Sequence, residues 1–170
     1  QNWIPDVLKV IKLSYSNSPQ FEKLYPEIEM LLKAKIENLA ELNITSLMWG
    51  LSHLLNAPFT MDLDVNDINE ILKKQKKFRL KKIIRATDTK AQNGFDTMNA
   101  NEKIVALCRE VGAKEDYCGG TAVSAYMDHD IFKKNGIKVI VQDWKCQEYL
   151  QQFTKHHGFI PNLSIIDLLM

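Results

Sequence analysis

The chain has 170 residues, of which 45% are hydrophobic and 25% charged, and its formal net charge is +1. These values are ordinary for one globular domain large enough to bury a core. The low net charge argues against global attraction to nucleic acid or anionic membrane, although a local patch can still act. No apolar run approaches the ~20 residues that span a bilayer.

Three cysteines, Cys108, Cys118 and Cys146, are too few for a disulfide framework, so we expect a reducing compartment, the cytoplasm. We expect a single domain over residues 1–170. The chain does not begin with Met and ends inside an apolar run, which suggests that it is cut at the N-terminus and at the extreme C-terminus.

The first half of the chain is predicted to be helical. Residues 7–15 have apolar side chains at helical spacing, although their alternation also fits a strand. A second helix should follow Ser18 as its cap and Pro19 as its first residue. A third helix, over residues 39–55, is apolar on most of its surface and should lie centrally.

Between residues 61 and 85 the composition changes from acidic to strongly basic. Residues 64–77 fit a short polar helix whose end charges match the helix dipole, and residues 80–84 fit a strand. For the basic run Lys73–Arg85 we favour a solvated helix face. The alternative is a track for the phosphate backbone of a nucleic acid, supported by one aromatic residue, Phe78.

The second half alternates helices and strands. A polar loop at 88–101 precedes a helix that Asn99 or Asn101 can cap and that ends at Gly112. A short strand then runs into two glycines, two short helices and an IKVIV strand at 137–141. We therefore predict a mixed, helix-rich α/β fold, with a helical first half packed on a small sheet formed mainly by the second half.

The most informative motif is Gly119-Gly120, which joins the strand ending in Tyr117-Cys118 to a helix. Glycines at such a junction let backbone amides approach an anionic group, here a phosphate or carboxylate. The structural alternative is a tight turn that needs positive φ. The dinucleotide and mononucleotide patterns GxGxxG and GxxxxGK[ST] are absent.

Other residues have both a chemical and a structural interpretation. His129, flanked by Asp128 and close to Tyr126, fits acid–base work, but a DHD sequence also opens many solvated helices. We favour packing over nucleophilic chemistry for Cys118, and packing for Trp3, Trp49 and Trp144, although Trp144 can also stack on a sugar ring. The adjacent histidines His156 and His157 have no third side chain spaced to join them in a metal site.

The C-terminal segment also has a structural interpretation. Ser164 followed by Asp167 approximates a capping box that opens the last apolar helix. That role accounts for both residues. The functional alternative places the Asp167 carboxylate in a pocket.

Three sequence blocks carry a resemblance to a known family: YCGGTAVSAYMD at 117–128, FKKNGIKVIVQDW at 132–144 and EYLQQF…GFIPNLSIIDLLM at 148–170. In this order they resemble the end of the bacterial WbqC-like family. The early segment ending in FEKLYP and the step from NEKIVALCREVGA to YCGG are similar as well. The family's usual N-terminal segment, rich in proline and aromatic residues, is not present. The matching positions are Tyr117, Gly120, Tyr126, Phe132, Gly136, Ile137, Tyr149, Gln151, Phe159, Pro161, Leu163, Ser164 and Asp167.

The resemblance implies a role in bacterial surface-polysaccharide (O-antigen) or amino-sugar biosynthesis, with a transferase that joins an amino acid, glycine, to an amino sugar through an amide. The substrate implied is a nucleotide-linked amino sugar; we expect no cofactor, metal, nucleic acid or membrane span. Alternatives are a non-catalytic scaffold of the same pathway and a nucleic-acid-binding protein. The candidate catalytic residues are His129, Asp128 and Tyr126. The candidate substrate-binding residues are Gly119, Gly120, Tyr117, Gln151 and Trp144.

Overall fold

The computed structural model describes residues 3–170 and has the predicted helix-rich α/β character. Its α-helices are α1 Ile4–Tyr15, α2 Phe21–Lys33, α3 Leu39–Leu54, α4 Val65–Lys74, α5 Ala100–Glu110, α6 Gly120–Ala125, α7 His129–Lys134, α8 Thr154–His157 and α9 Ile165–Leu169. Two strands, β1 Glu115–Cys118 and β2 Lys138–Val141, form the sheet, and Ala86–Asp88 and Lys90–Thr97 are 3-10 helices.

The chain divides into two compact units. The first unit comprises the chain up to Ile83 together with Cys146–Met170, and the second comprises Ile84–Lys145. The interpretation of residues 1–170 as a single domain stays a prediction.

The core of the first unit forms because α1, α2 and α3 each bury an apolar face. Leu8, Leu24 and Trp49, one from each helix, belong to the same buried cluster, and residues of α9 pack against it. A second cluster joins α3 to α4 through Met48 and Ile68. The helix predicted over 39–55 is therefore central, as expected, although some of its leucines are exposed.

Two predictions in the first unit are wrong in detail. Helix α2 begins at Phe21, so Ser18 and Pro19 precede it and Gln20 occupies the cap position. The strand predicted over 80–84 does not form. The amide side chain of Asn69 pairs with the backbone N–H and C=O of Ile83, taking the hydrogen bonds that a neighbouring strand would otherwise make.

The second unit is organised around α5 and the sheet. Asn99 caps α5 in a full capping box with Glu102, and Gly112, with φ of +68°, follows its end, as predicted. The buried face of α5 packs with Phe132 and Ile137. Strands β1 and β2 are parallel and connected through α6 and α7, with Glu115 opposite Lys138 and Cys118 opposite Val141.

The three tryptophans differ in their environments. Trp49 is buried in the core of the first unit, as predicted. Trp3 is 47% exposed and Trp144 74% exposed, so the prediction that they pack in a core is wrong. In the second unit, this leaves the indole of Trp144 at the protein surface.

Candidate functional site

The carboxyl ends of β1 and β2 place two loops at one edge of the sheet. Cys118 and Val141 are paired as the last residues of their strands, so Gly119-Gly120 and the segment 142–144 leave the sheet side by side. Ligands of open α/β sheets bind outside the carboxyl ends of the strands. This edge is therefore the first place to look for a site in the second unit.

Gly119 and Gly120 are not required by the backbone conformation. Gly119 is extended, with φ of −74° and ψ of 153°, and neither glycine has positive φ. The interpretation as a turn that needs positive φ is therefore wrong. A Cβ atom on Gly119 would meet no heavy atom within 4 Å, and one on Gly120 would meet only the Val141 Cγ1 atom, at 4.0 Å.

The chain's own packing thus leaves room for a larger side chain at both positions. Both glycines are exposed. What a glycine adds here is an uncovered backbone that an external group can approach closely. This fits the predicted contact with an anion.

Three exposed aromatic side chains belong to the same unit. Tyr117, in β1, is 63% exposed, and Tyr126, directly after α6, is 53% exposed. Trp144, three residues beyond β2, is 74% exposed. Planar rings of this kind suit stacking on sugars or bases.

The segment at 126–128 is held by a side chain that the sequence analysis considered only as a helix cap. Asn101 in α5 donates its Nδ2–H to the Tyr126 carbonyl at 2.9 Å and accepts the Asp128 N–H on Oδ1 at 3.1 Å. These contacts join residues more than 20 positions apart, so no local sequence signal reveals them. Asn101 fixes the backbone on which two candidate catalytic residues are placed.

Asp128 and His129 occupy different environments although they are adjacent. The Asp128 carboxylate caps α7 by accepting the Asp130 N–H at 3.0 Å. His129 is exposed and lines a surface cavity of about 420 Å³ with Lys133, Gly136, Ile137, Lys138 and Val139. Of the two, His129 is the side chain that borders space for a ligand.

His129 and the glycine pair lie at opposite ends of β2. The His129 cavity includes Lys138 and Val139, the first two residues of the strand, whereas Gly120 faces Val141, the last. At a rise of about 3.3 Å per residue these positions are roughly 7–10 Å apart along the strand. The structure therefore does not bring the imidazole and the glycine amides to one point.

A titratable group missed by the sequence analysis lies in β1. Partial burial raises the pKa of the Asp116 carboxyl. Burial also raises the pKa of the Cys108 thiol, and the nearby Asp116 charge adds to this. Cys118 has Met127 Sδ at 3.9 Å and the Ile140 carbonyl oxygen at 3.8 Å, contacts that fit a packing role.

Gln151 lies in the first unit, whereas the other candidate residues lie in the second. Its amide donates to the Ile160 carbonyl at 2.8 Å and accepts the Ile160 N–H at 2.9 Å, which closes the intervening loop. Inside that loop Phe153 has φ of +63°, a conformation uncommon for a bulky residue.

A buried carboxylate lies at the C-terminal helix of the first unit. Ser164 caps α9 by accepting the Ile166 N–H, as predicted. The Asp167 carboxylate does not complete a capping box. It is 7% exposed and accepts two phenolic hydrogen bonds, from Tyr15 Oη at 2.8 Å on Oδ1 and from Tyr149 Oη at 2.8 Å on Oδ2.

The pKa values of both tyrosines are shifted in the same direction. Burial, and then donation to Asp167, raise the pKa of Tyr15 above its ordinary value. Burial likewise raises the pKa of Tyr149, with donation to Asp167 adding to the effect and a hydrogen bond with Gln151 opposing it. The two rings tie α9 to α1 and to the segment before α8.

A second carboxylate cluster joins α2 to α3. Glu27 Oε2 accepts the indole N–H of Trp49 at 2.9 Å and lies 2.5 Å from His53 Nε2. Because Trp49 and His53 are four residues apart on one helix, both reach the same oxygen. Across residues 3–170, no group of three or more His, Cys, Asp or Glu side chains is placed to hold a metal ion.

The chain belongs to the WbqC-like protein family, since the sequence model of that family matches residues 1–170. No curated protein sequence matches the chain. No solved structure matches it either. In the part of the chain that the structure describes, none of the helices has both the length and the apolar character needed to cross a membrane.

Proposed function

We propose that this protein acts in bacterial surface-polysaccharide (O-antigen) or amino-sugar biosynthesis as a transferase that joins an amino acid, glycine, to an amino sugar. Two things support the proposal. One is its membership of the WbqC-like family, whose name points toward polysaccharide biosynthesis. The other is the uncovered backbone at Gly119-Gly120, at the sheet edge where α/β proteins bind ligands.

The glycine pair is the observation that carries the proposal. Neither its φ angles nor its packing calls for glycine, so the open approach to its backbone is what distinguishes these positions. The diphosphate of a nucleotide-linked sugar is the group we assign to it. Tyr117 and Trp144, both exposed in this unit, are the rings that would stack on the sugar or base.

His129 and the glycine pair are separated along β2, which fits two different roles in one reaction. A nucleotide-linked amino sugar carries its amine at a distance from its diphosphate, so anion binding and proton transfer need not share one point. Gly119-Gly120 would hold the diphosphate, and His129, which borders a cavity of about 420 Å³, would accept the amine proton. Asp128, whose carboxylate caps α7, is the alternative base.

The chemistry is an acyl transfer to nitrogen. The sugar amine attacks the carbonyl carbon of an activated glycyl donor, the bond from that carbon to its leaving group breaks, and the leaving group departs with the electron pair. The base takes the proton that the new amide nitrogen loses. Tyr126, exposed in the same unit, is the side chain we assign to orienting the acceptor.

Two neighbouring variants test whether Gly119-Gly120 binds the diphosphate. Gly120→Val adds bulk where a ligand would approach and meets only an ordinary contact with Val141. Thr121→Val places the same valine side chain one residue later on the same helix, where it only replaces a hydroxyl by a methyl group. We expect Gly120→Val to lose binding of nucleotide-linked amino sugars while Thr121→Val keeps it, measured by calorimetry on folded protein. Equal binding by both variants would rule out an anion-binding role for Gly119-Gly120.

One observation favours the second candidate, a non-catalytic binding or scaffold protein of the same pathway. Tyr126, Asp128 and His129 are all exposed, which suits binding as well as chemistry. The two candidates differ in product. If sugar nucleotides bind but no glycyl amide is found by mass spectrometry with activated glycyl donors, the scaffold function is the better account.

A further inference from the structure

The segment Lys73–Ile83 is strongly basic and exposed. It holds seven of the 22 lysines and arginines of a chain whose net charge is +1, and it holds no acidic residue. None of the roles proposed above uses it. The seven cations are Lys73, Lys74, Lys76, Lys77, Arg79, Lys81 and Lys82.

From Gln75 onward this segment is not the solvated helix face that its sequence predicts. Helix α4 ends at Lys74, and the Gln75 side chain then accepts the Phe78 N–H at 2.7 Å and donates to the Phe78 carbonyl at 3.1 Å. The Asn69 amide holds Ile83 at the other end through two hydrogen bonds of 2.9 and 2.8 Å. Lys73 and Lys74 thus lie in the last turn of α4, whereas the other five basic side chains are presented by a non-helical backbone that these hydrogen bonds hold.

All seven cations are exposed, and few of their charges are neutralised within the chain. Among the residues described by the structure, Lys73 is the member of the seven that forms an ion pair, with Glu70. Lys73, Lys81 and Lys82 border one cavity of about 300 Å³ together with Asn66, Asn69 and Glu70. Glu70 pairs with Lys73, and the Asn69 amide is bonded to Ile83, so the ammonium groups of Lys81 and Lys82 are the groups here that suit a phosphate.

Three observations favour a lipid surface over a nucleic acid. The segment exposes an aliphatic side chain, Leu80, at 41% among the cations, which suits the boundary between headgroups and acyl chains. Its single aromatic ring, Phe78, is partly buried and has the Lys77 ammonium 5.1 Å from its centroid, so the segment offers little ring surface for base stacking. Six of the seven cations are lysines, which act as point charges toward phosphate.

We propose that residues 73–83 dock this protein on a membrane surface rich in anionic phospholipid. Headgroup phosphates would occupy the cavity bordered by Lys73, Lys81 and Lys82, and the Leu80 side chain would enter the interface. Clusters of four to eight basic residues bind anionic lipids in this way. The inference is independent of the transferase proposal, since it concerns other residues.

Vesicle binding of the whole protein tests this docking. The vesicles are phosphatidylcholine alone or phosphatidylcholine mixed with phosphatidylglycerol, and bound protein is measured by co-sedimentation. Each lysine near an anionic surface is worth about a fivefold change in binding, so Lys81→Gln/Lys82→Gln should weaken binding to the mixed vesicles roughly 25-fold. Lys133→Gln/Lys134→Gln, which removes the same charge from α7, is the matched control and should bind like the parent chain.

The same experiment distinguishes a lipid surface from a nucleic acid as the partner. Docking on lipid predicts preference for the mixed vesicles, loss of binding at high salt and a further loss in Leu80→Ser. Equal binding to both vesicle types, or equal weakening by the control pair, would overturn the proposal. Stronger, salt-sensitive binding to a single-stranded oligonucleotide that displaces the vesicles would overturn it in favour of nucleic acid.

Discussion

The two tyrosines that bracket Asp167 give the sharpest stability prediction. Tyr15→Phe removes one hydroxyl and leaves the ring, so core packing is kept and only the 2.8 Å hydrogen bond to Asp167 Oδ1 is lost. Tyr149→Phe removes the matching 2.8 Å bond on the other carboxylate oxygen. The pair therefore isolates how much each hydroxyl stabilises a nearly buried carboxylate.

The magnitude follows from the type of bond. A hydrogen bond to a charged group contributes about 1.5–3 kcal/mol, more than a neutral one, and Asp167 is 7% exposed, so water replaces the lost donor poorly. We expect Tyr15→Phe to lower the free energy of unfolding by about 2 kcal/mol. The double variant should depart from additivity, because both hydroxyls act on one carboxylate.

Urea unfolding of the parent chain, both single variants and the double variant measures these differences. The pH dependence provides a second readout. Because the pKa of Tyr15 is raised on folding, first by burial and then by the bond to Asp167, its stabilising effect is fully present below the ordinary tyrosine value of about 10 and is lost as the pH rises toward the folded value. Tyr15→Phe should show a smaller alkaline loss.

Two results would refute this reasoning. The first is a change below about 0.5 kcal/mol for Tyr15→Phe, the size expected of an uninvolved surface position. The second is an unchanged alkaline loss of stability in that variant. Either would mean that Asp167 is satisfied by other groups.

Three further predictions concern single residues. Asn101→Ala should destabilise the second unit by about 1–3 kcal/mol in urea unfolding and speed hydrogen exchange at the Asp128 amide, because two backbone partners lose their bonds; unchanged exchange would contradict it. Asp116→Asn should raise the melting temperature at neutral pH, since a carboxyl whose pKa is raised by burial destabilises the fold while ionised, and this gain should vanish below about pH 4, as a series of melts at different pH will test. Glu27→Ala should cost about 1–3 kcal/mol in urea unfolding by leaving the Trp49 indole N–H without its acceptor, and a neutral result would rule out that bond as a stabilising contact.

Local sequence signals predicted the helices well where caps and apolar spacing agree. The cap at Asn99, the stop at Gly112 and the apolar face of α5 depend on residues within a few turns, so the sequence contains them. The alternation of short helices with β1 and β2 was predictable for the same reason. Membership of the WbqC-like family was likewise visible in the blocks that include Gly120.

Contacts distant in sequence account for the failures. The residues predicted as a strand at 80–84 lack a strand partner, and Asn69, 14 positions before Ile83, takes its backbone hydrogen bonds instead. The capping role of Asp167 was overridden by Tyr15, 152 positions away. In the candidate site, Gly120 and His129 were predicted to belong to one site. The structure places them at opposite ends of β2, which no local sequence signal reveals. The catalytic and binding roles stay predictions.

The measurement that tests the transferase proposal most directly is a thermal-shift series of nucleotide-linked amino sugars, with the free nucleotides and an oligonucleotide as controls. A ligand at about 100 times its dissociation constant adds roughly 2.7 kcal/mol of apparent stability. The account predicts a shift with the amino-sugar nucleotides that is absent in Gly120→Val and kept in Thr121→Val. No shift with any sugar nucleotide, in a protein that melts cooperatively, would contradict it.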